Sequence, residues 1–262
     1  MRRPIITLTT DFGTSDYFVG VMKGVILRLC PAAEVVDITH DIAPFEIAEA
    51  GFTVAQYYRY YPPGTIHVVV VDPGVGTSRR PILAQAARQY FLAPDNGVLS
   101  MVLARESHTV RHITAEEFFL KPVSDTFHGR DIFAPCAAEL ARGGRPGRFG
   151  KPIKDYMRSD FARPLRTGKR FWTGAVLKVD RFGNLITNFH IDEFPSLKER
   201  PFQLAAGAEH ITRLVRAFAE CPPGELAAVV GSSGYIELIS YQASAARLLG
   251  CASGAPVELT QW

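Results

Sequence analysis

The sequence has 262 residues, of which 47% are hydrophobic and 21% are charged, and its formal net charge is +3 at pH 7. A chain of this length and composition folds into one large domain or two unequal ones, which excludes a protein that is disordered over most of its length. The arginines that give the positive charge are scattered, without a clustered basic face or a stacking motif, so nucleic-acid binding is not predicted.

The beginning of the chain and its cysteines bear on the compartment. Met1-Arg2-Arg3-Pro4 leads directly into a strand-like segment, without the apolar stretch and cleavage site of a signal peptide. No segment approaches the ~20 apolar residues of a membrane span. The four cysteines lie far apart and form no Cys-x-x-Cys pair, which argues against a zinc site or a disulfide framework. We therefore expect a cytoplasmic protein that is not associated with a membrane.

Strand and helix patterns alternate along the first part of the chain. Residues 5–10 and 34–38 have β-rich composition, and residues 66–71 form a β-branched run typical of a strand buried on both faces. Apolar residues recur at helical spacing over residues 18–29 and 46–61. Further strands are predicted at residues 82–86, 90–93 and 110–113, and further helices at 98–105 and 131–142. This alternation indicates an α/β domain with a mostly parallel central sheet.

The pattern changes after a stretch rich in Gly, Pro and Arg, residues 143–170, which we interpret as a domain linker. Short alternating strands at residues 174–179 and 185–189 then flank the turn Arg181-Phe182-Gly183-Asn184. Such spacing of strands and turns predicts a small all-β barrel or sandwich. We expect an α/β domain over residues 1–160 and a β-barrel-like domain over residues 168–262.

Polar groups follow three of the predicted strands, in the loops 10–13, 37–41 and 72–77. In open α/β sheets, ligands bind in the crevice beyond the carboxyl ends of the strands. Asp72 directly follows the buried strand, and the glycines at 74 and 76 allow a tight turn and a close approach to a ligand. Arg79 is near enough in the sequence to fold back toward the Asp72 carboxylate. A purely structural turn stays an open alternative, because Asp-Pro-Gly is common turn chemistry.

A second polar cluster, residues 126–131, lies just before a predicted helix. Gly129 or Asp131 could cap that helix, and His128 at its start is a candidate active-site imidazole, with a structural histidine as the alternative. Asp11-Phe12-Gly13 and residues 128–131 resemble protein-kinase motifs, but their order is reversed and no phosphate-covering glycine loop precedes them. A kinase is therefore excluded.

Six ordered segments together resemble the S-adenosylmethionine hydroxide adenosyltransferases, relatives of the fluorinases and chlorinases. They are residues 8–17 (LTTDFGTSDY), 37–44 (DITHDIAP), 70–77 (VVDPGVGT), 127–131 (FHGRD), 179–184 (VDRFGN) and 231–235 (GSSGY). Any one of them is weak evidence, but six in order through nearly the whole chain are specific. The resemblance implies hydrolysis of S-adenosyl-L-methionine to adenosine and L-methionine, by attack of activated water or hydroxide on the ribose 5′-carbon.

The resemblance implies a catalytic trio of Asp72, Arg79 and His128, which is characteristic of the water-using branch. The halogenating branch has a tyrosine at the Asp72 position. We expect Asp72 and His128 to bind and deprotonate the water, with Arg79 fixing Asp72; which of the two is the base stays open here. A halide ~4 Å from a carboxylate would suffer about 4 kcal/mol of repulsion at an effective dielectric near 20, so the trio suits water better.

The resemblance also implies a homotrimer, with the substrate between the amino-terminal catalytic domain of one subunit and the carboxyl-terminal substrate-binding domain of the next. Asp11 is expected at the ribose hydroxyls, Asp16 at the methionine ammonium and Phe182 against the adenine. The other substrate-binding residues implied are Phe45, where halogenating relatives carry Trp, and Asp180, Asn184, Ser232, Ser233, Tyr235 and Gln242. No metal or cofactor is expected, because the leaving group is neutral methionine.

Three other functions are weighed against this one. A metal-dependent nucleotide hydrolase could use Asp11, Asp37, His40 and Asp72, whose ligand atoms suit magnesium or manganese, although no tight ligand spacing is present. A halogenase that uses S-adenosylmethionine is disfavoured by Asp72. A non-catalytic protein that binds S-adenosylmethionine would not need the charged trio.

Overall fold

The chain forms two compact units, one that ends at Ser159 and one that comprises Asp160–Trp262. The computed structural model describes residues 3–262, so Met1 and Arg2, the first residues of the basic start noted above, lie outside the described residues. Each unit has a hydrophobic core of its own. Among residues 3–262, no helix is both long enough and apolar enough to cross a bilayer.

The first unit alternates strands and helices. Its elements are, in chain order, β1 (Ile5–Thr10), α1 (Phe18–Leu29), β2 (Glu34–Thr39), α2 (Ile47–Tyr57), β3 (Ile66–Val70), β4 (Pro81–Ala86), β5 (Gln89–Pro94), α3 (Ser100–Leu103), β6 (His108–His112), α4 (Ala134–Ala141) and β7 (Pro152–Ile153). A π-helical turn, Gly129–Phe133, leads directly into α4.

The sheet of the first unit has the strand order β2-β1-β3-β5-β4-β6-β7. The first four strands in this order are parallel, and the last three join antiparallel. The sheet is therefore mixed, which corrects the expectation of a mostly parallel one. The reversal occurs at a tight hairpin between β4 and β5, where Ala87 and Arg88 have φ values of 51° and 62°. Two positive φ values are typical of a type I′ turn, which usually carries Asn-Gly. The sequence Ala-Arg therefore did not predict a hairpin at this place.

Sequence patterns correctly located the elements that frame the first unit's loops. α1 begins and ends as predicted, and its buried residues Val19, Met22 and Ile26 recur at helical spacing on one face. Every residue of β3 is buried, as expected of a strand covered on both faces. The carboxyl ends of the neighbouring parallel strands β1 and β3 therefore carry Asp11 and Asp72 to the same edge of the sheet.

The second unit is built on one curled half-barrel sheet. Its elements are, in chain order, β8 (Leu165–Arg166), β9 (Phe171–Val179), β10 (Leu185–His190), β11 (Phe202–Ala206), β12 (Glu209–Ile211), β13 (Leu214–Val215), β14 (Leu226–Val230), β15 (Tyr235–Ser240), α5 (Ala245–Leu249) and β16 (Pro256–Gln261). The strand order is β12-β11-β16-β9-β10-β15-β14-β13, with β8 on β9. All pairs are antiparallel except β13 with β14.

The expectation of an all-β second domain is not confirmed, because the unit contains the helix α5. Ser244 caps the start of this helix by accepting a hydrogen bond from the Arg247 amide, and Gly250 ends it in the left-handed conformation. The predicted linker is also partly structured: β7 extends the sheet of the first unit, and β8 extends that of the second.

Candidate active site

The first unit has a cavity of about 270 Å³ beyond the ends of β1 and β3. We call it the Asp72 cavity. Its walls come from the loop after β1, the loop before α2, the loop after β3 and the segment that leads into the π-helical turn. The predicted site residues on its walls are Asp11, Phe45, Asp72 and His128.

Arg79 joins two of these residues. Its Nε donates a hydrogen bond to Asp72 Oδ1 over 3.0 Å, and its Nη2 contacts Asp72 Oδ2 and lies 2.7 Å from His128 Nδ1. The side chains of Arg79 and Asp72 are only 8% and 5% exposed. The structure therefore brings Asp72, Arg79 and His128 into one hydrogen-bonded cluster, with Asp72 and His128 on the cavity wall and Arg79 behind them.

The contact between Arg79 and His128 determines which nitrogen of the imidazole carries a proton. A guanidinium has N–H donors and no acceptor, so His128 Nδ1 must accept the hydrogen bond. A neutral imidazole in this position then carries its proton on Nε2. Burial is the main cause that lowers the pKa of His128, and the charge of Arg79 is the second. The carboxylates of Asp72, Asp131 and Asp125 act in the opposite direction but do not outweigh these two causes. His128 therefore has a neutral ring that can donate from Nε2.

The backbone around His128 is held by a buried carboxylate. Asp131 is fully buried in the π-helical turn, where it accepts hydrogen bonds from the Ser124 amide at 2.9 Å and from Arg130 Nε at 2.6 Å. Gly129 leaves little room for a side chain, since a Cβ there would lie 3.1 Å from Met22 Sδ. The cluster of residues 126–131 thus combines a structural aspartate with a histidine that faces the cavity.

Asp11 and Phe45 contact each other at the wall of the Asp72 cavity. Asp11 Oδ2 accepts a hydrogen bond from the Phe45 amide at 3.0 Å, and Phe45 has a φ of 71°. Burial raises the pKa of Asp11, the Phe45 hydrogen bond lowers it, and the nearby charge of Asp72 raises it further. The Phe45 ring is 69% exposed. Asp16 is exposed in the loop before α1.

The second unit has a larger cavity, of about 860 Å³, which we call the Phe182 cavity. It is lined by five of the predicted substrate-binding residues: Asp180, Phe182, Asn184, Ser232 and Gln242. Two others lie outside its lining. The Ser233 hydroxyl is buried, and Tyr235 is buried with its ring edge-on to His190, 4.8 Å between centroids.

The turn between β9 and β10 presents Phe182 to this cavity. Asp180 Oδ1 accepts hydrogen bonds from the amides of Phe182 and Asn184 at 2.9 and 2.8 Å, and its Oδ2 accepts one from Asn184 Nδ2 at 2.8 Å. Gly183 has a φ of 86°, and any Cβ there would collide with Ser244. The turn is therefore fixed on both sides, and it leaves the Phe182 ring 79% exposed.

Among the residues of the Phe182 cavity that sequence reasoning missed are three charged ones and an aromatic one: Arg216, Glu237, Arg247 and Phe218. Glu237 had a recognisable signal, because it is a lone acidic residue in a strand that is otherwise apolar or weakly polar. Burial, together with the charge of Asp180, raises its pKa to about 7. The other three lie in the segment after β13 and in α5, where no motif marked them.

The alternative set of metal ligands is not assembled. Asp37 Oδ1 lies 3.1 Å from His40 Nε2, but Asp37 Oδ2 is bonded to the Lys23 ammonium at 2.5 Å. Asp11 is bonded to the Phe45 amide, and Asp72 to Arg79. Over residues 3–262, no three His, Cys, Asp or Glu side chains come together as a metal-binding group.

Sequence models of one family match both units. The model described as SAM hydroxide adenosyltransferase N-terminal domain matches residues 6–150, and that described as SAM hydroxide adenosyltransferase C-terminal domain matches residues 174–258. The chain belongs to the SAM hydroxide adenosyltransferase family. The resemblance carried by the six sequence segments is thereby confirmed.

Individual members of the family are similar over almost their full length. A protein from Salinispora tropica named (R)-S-adenosyl-L-methionine hydrolase is 36% identical over 98% of each chain. A protein of the same name from Methanocaldococcus jannaschii is 34% identical over 94% of this chain and 91% of its own. A crystal structure of an uncharacterized conserved protein from Thermotoga maritima, 36% identical, matches with a TM-score of 0.87 over 97% of this chain and 99% of that one. Proteins named fluorinase are more distant, at 26% identity for one from Nocardia brasiliensis.

Proposed function

We propose that this protein is an enzyme that hydrolyses S-adenosyl-L-methionine to adenosine and L-methionine. The observation that carries the proposal is the hydrogen-bonded cluster of Asp72, Arg79 and His128, two of whose members line a cavity in a chain of this family. The similar proteins named (R)-S-adenosyl-L-methionine hydrolase support the same substrate and reaction.

The reaction needs an oxygen nucleophile placed in line behind the ribose 5′-carbon. As the oxygen attacks, the C5′–S bond breaks and its electron pair stays on sulfur, so the sulfonium leaves as neutral methionine. The water loses one proton, so the products are methionine, adenosine and one released proton. Fixing water and carbon in this alignment lowers the barrier by several kcal/mol, up to roughly 7–11 in favourable cases.

The tautomer of His128 supports Asp72 as the group that accepts the water's proton. Because His128 Nδ1 accepts from Arg79, its Nε2–H donates to the water oxygen and holds it in the Asp72 cavity. The Asp72 carboxylate accepts the water's proton as the C–O bond forms. Arg79 does not line the cavity and acts by orienting both groups. Proton removal by a positioned base contributes about 10²–10⁴-fold to the rate.

The two cavities suit different parts of the substrate. In the catalytic first unit, Asp11 binds the ribose hydroxyls and Phe45 covers the Asp72 cavity. In the substrate-binding second unit, Phe182 stacks on the adenine, while Asp180, Asn184, Ser232 and Gln242 shape the walls.

The protein works as a homotrimer, in which one subunit supplies the Asp72 cavity and the next supplies the Phe182 cavity. It needs no cofactor, and it acts in the cytoplasm.

The decisive experiment is to incubate the purified protein with S-adenosyl-L-methionine in ¹⁸O-labelled water and to analyse the products by chromatography and mass spectrometry. We expect equal amounts of adenosine and L-methionine, with one ¹⁸O atom in the adenosine 5′-hydroxyl. Folded protein that forms no adenosine contradicts the proposal. As a control, Asp72→Ala should bind the substrate but turn it over at least 10²-fold more slowly.

Two additions separate the alternatives. Activity that disappears on treatment with a chelator and returns with magnesium or manganese would favour the metal-dependent hydrolase. Formation of 5′-chloro-5′-deoxyadenosine in the presence of chloride would favour the halogenase. We expect neither.

A further inference from the structure

Glu237 is a buried acidic residue that the hydrolysis mechanism above does not use. It lies in the middle of β15 and lines the Phe182 cavity. Burial raises its pKa to about 7, and the charge of Asp180 contributes in the same direction. Burying a carboxyl group is unfavourable unless a partner compensates it, so its position at a cavity wall points to a ligand as that partner.

Gly231, which directly follows β14, leaves space for the Glu237 carboxyl group. A Cβ on Gly231 would lie 1.8 Å from Glu237 Oε1 and 2.5 Å from Cδ. Gly231 has no left-handed backbone conformation, so the close approach of the Glu237 carboxyl group is the feature of its surroundings that favours a glycine there. Gly231 begins the segment Gly231-Ser232-Ser233-Gly234-Tyr235, whose Ser232 also lines the cavity.

The other carboxylate on this wall is engaged within its own turn. Asp180 accepts two backbone hydrogen bonds and one from Asn184 Nδ2, which together fix the conformation that presents Phe182. Its charge still acts on its surroundings, as the raised pKa of Glu237 shows. Glu237, in the strand β15, is a second carboxyl group on this wall and takes no part in shaping that turn.

We infer that Glu237 receives the α-ammonium group at the methionine end of the substrate. This inference rests on the proposed function. An ammonium group offers three donors and a positive charge, which match an ionised carboxylate and relieve its repulsion with Asp180. Glu237 acts alongside Asp16, the exposed residue that the family resemblance implies for the same group.

Other charged or titratable groups surround Glu237 and bear on its ionisation. Lys178 pairs with Ile186 and Ile186 with Glu237, so the three side chains lie in one row across the sheet. The cavity walls carry further such groups, namely Asp180 in the turn after β9, Arg216 after β13, Tyr241 after β15 and Arg247 in α5. The two arginines provide the positive charge that suits the carboxylate of the same amino-acid end.

The test compares Glu237→Gln with the control Glu258→Gln, which changes an exposed glutamate of β16 in the same unit. Glu237→Gln should raise KM for S-adenosyl-L-methionine about tenfold or more, which corresponds to the loss of one charged hydrogen bond, and change kcat little. The inhibition constant of 5′-methylthioadenosine, which lacks the amino-acid end, should stay within twofold in both variants. Glu258→Gln should leave every constant unchanged.

The pH profile gives a second readout. In the wild type, Glu237 ionises as the pH rises through about 7, so kcat/KM should increase roughly tenfold between pH 6 and 8. This rise should be absent in Glu237→Gln. Gly231→Ala displaces the Glu237 carboxyl group and should raise KM as Glu237→Gln does. If Glu237→Gln does not fold, Gly231→Ala takes its place in the test. An unchanged KM together with an unchanged pH profile overturns the inference.

The two proposals fail in different ways. If the wild type forms adenosine but Glu237→Gln keeps its KM and pH profile, only the role of Glu237 is wrong. If the wild type forms no adenosine, the hydrolase proposal is wrong, and calorimetric binding of S-adenosyl-L-methionine then decides the role of Glu237. Equal affinity of wild type and Glu237→Gln would contradict that role, and weaker binding to the variant would support it.

Discussion

At the residue scale, Arg79 links Asp72 and His128 on the wall of the Asp72 cavity, and one of its buried N–H groups has no hydrogen-bond partner among the described residues. Its Nε and Nη2 bond to Asp72 and His128, while Nη1 is buried without a hydrogen-bond partner among residues 3–262. The guanidinium carbon lies 5.5 Å from the centroid of the Phe133 ring. An unsatisfied buried donor costs about 1–3 kcal/mol of stability. A role of Arg79 in the reaction therefore explains its position better than a role in stabilising the fold.

We predict that Arg79→Ala lowers kcat at least 10²-fold while KM changes less than threefold, because Asp72 and His128 lose their common anchor. Arg79→Lys should restore less than about a tenth of the activity, since an ammonium cannot reproduce the planar fork of donors. Steady-state kinetics measures both variants. A lysine variant close to wild-type activity would show that only the positive charge matters.

A substitution at His128 tests the tautomer. Gln places an amide N–H near the position of imidazole Nε2 but cannot act as a base, so His128→Gln should keep at least ten times the kcat of His128→Ala. If His128 were the base, the two variants would be equally slow.

The pH dependence of kcat gives an independent check on His128. Its pKa is lowered by burial and by Arg79, so the neutral donor persists below the ordinary value of 6.5. The kcat of the wild type should therefore stay constant from pH 8 to about 6.5 and fall only at lower pH, where protonation breaks the hydrogen bond from Arg79. His128→Gln should lack this fall. An acid limb with a midpoint above pH 6.5 would contradict the assignment.

How far the site could be predicted from the sequence differs between its residues. Asp72 and His128 belong to two of the six motifs, and Arg79 lies two residues beyond the first of these; strand-end geometry alone already singled out Asp72. Ser233 and Tyr235 belong to the same motif as Ser232, but the structure buries them away from the cavity. Glu237 stands out as a lone acidic residue in its strand, but period and motif do not report which face of a fully buried strand borders a cavity.

At the scale of single elements, β3 combines a buried core with a polar network. His67 is fully buried in this strand, where its Nδ1 lies 2.8 Å from Thr7 Oγ1 on the neighbouring β1 and its Nε2 lies 3.3 Å from Gln89 Oε1 on β5. Burial lowers the pKa of His67 to about 4. The ring is therefore neutral in the folded protein at neutral pH, and its hydrogen bonds hold β1, β3 and β5 in register.

This depressed pKa predicts that acid destabilises the fold through His67. The unfolded chain takes up the proton near pH 6.5, whereas the folded protein takes it up only near pH 4. The free energy of unfolding should thus fall by up to about 3 kcal/mol from this residue alone as the pH drops from 7 to 4. Urea unfolding at both pH values measures it. His67→Gln should show a smaller fall than the wild type, and equal falls would contradict the prediction.

Elements with a single dominant period were predictable, and those set by unusual backbone conformations were not. α1 and β3 follow from the 3.6-residue and buried-strand patterns of their own residues. The β4–β5 hairpin depends on positive φ values at Ala87 and Arg88, and the start of α4 is a π-helical turn. Tertiary packing imposes these conformations, so local sequence preference does not report them.

At the scale of the whole molecule, each unit has a cavity bordered by an aromatic ring that is largely exposed. Phe45 stands at the Asp72 cavity and Phe182 at the Phe182 cavity. Exposed aromatic rings beside a cavity mark surfaces that a ligand or another subunit covers. This is the support for the proposed trimer, in which each substrate is held by the first unit of one subunit and the second unit of the next.

The trimer predicts that two inactive variants restore each other's activity. Asp72→Ala disables the first unit, and Phe182→Ala weakens the second. When equal amounts are unfolded and refolded together, a working site requires an intact first unit from one subunit and an intact second unit from its neighbour. Random assembly places these together in about a quarter of the sites, so the mixture should recover roughly a quarter of wild-type activity. Sites formed within single subunits would recover none, since every subunit in the mixture carries one defect. Each variant refolded alone is the matched control. A mixture of wild type with the double variant Asp72→Ala/Phe182→Ala shows how far inactive subunits lower the activity of the sites that they join.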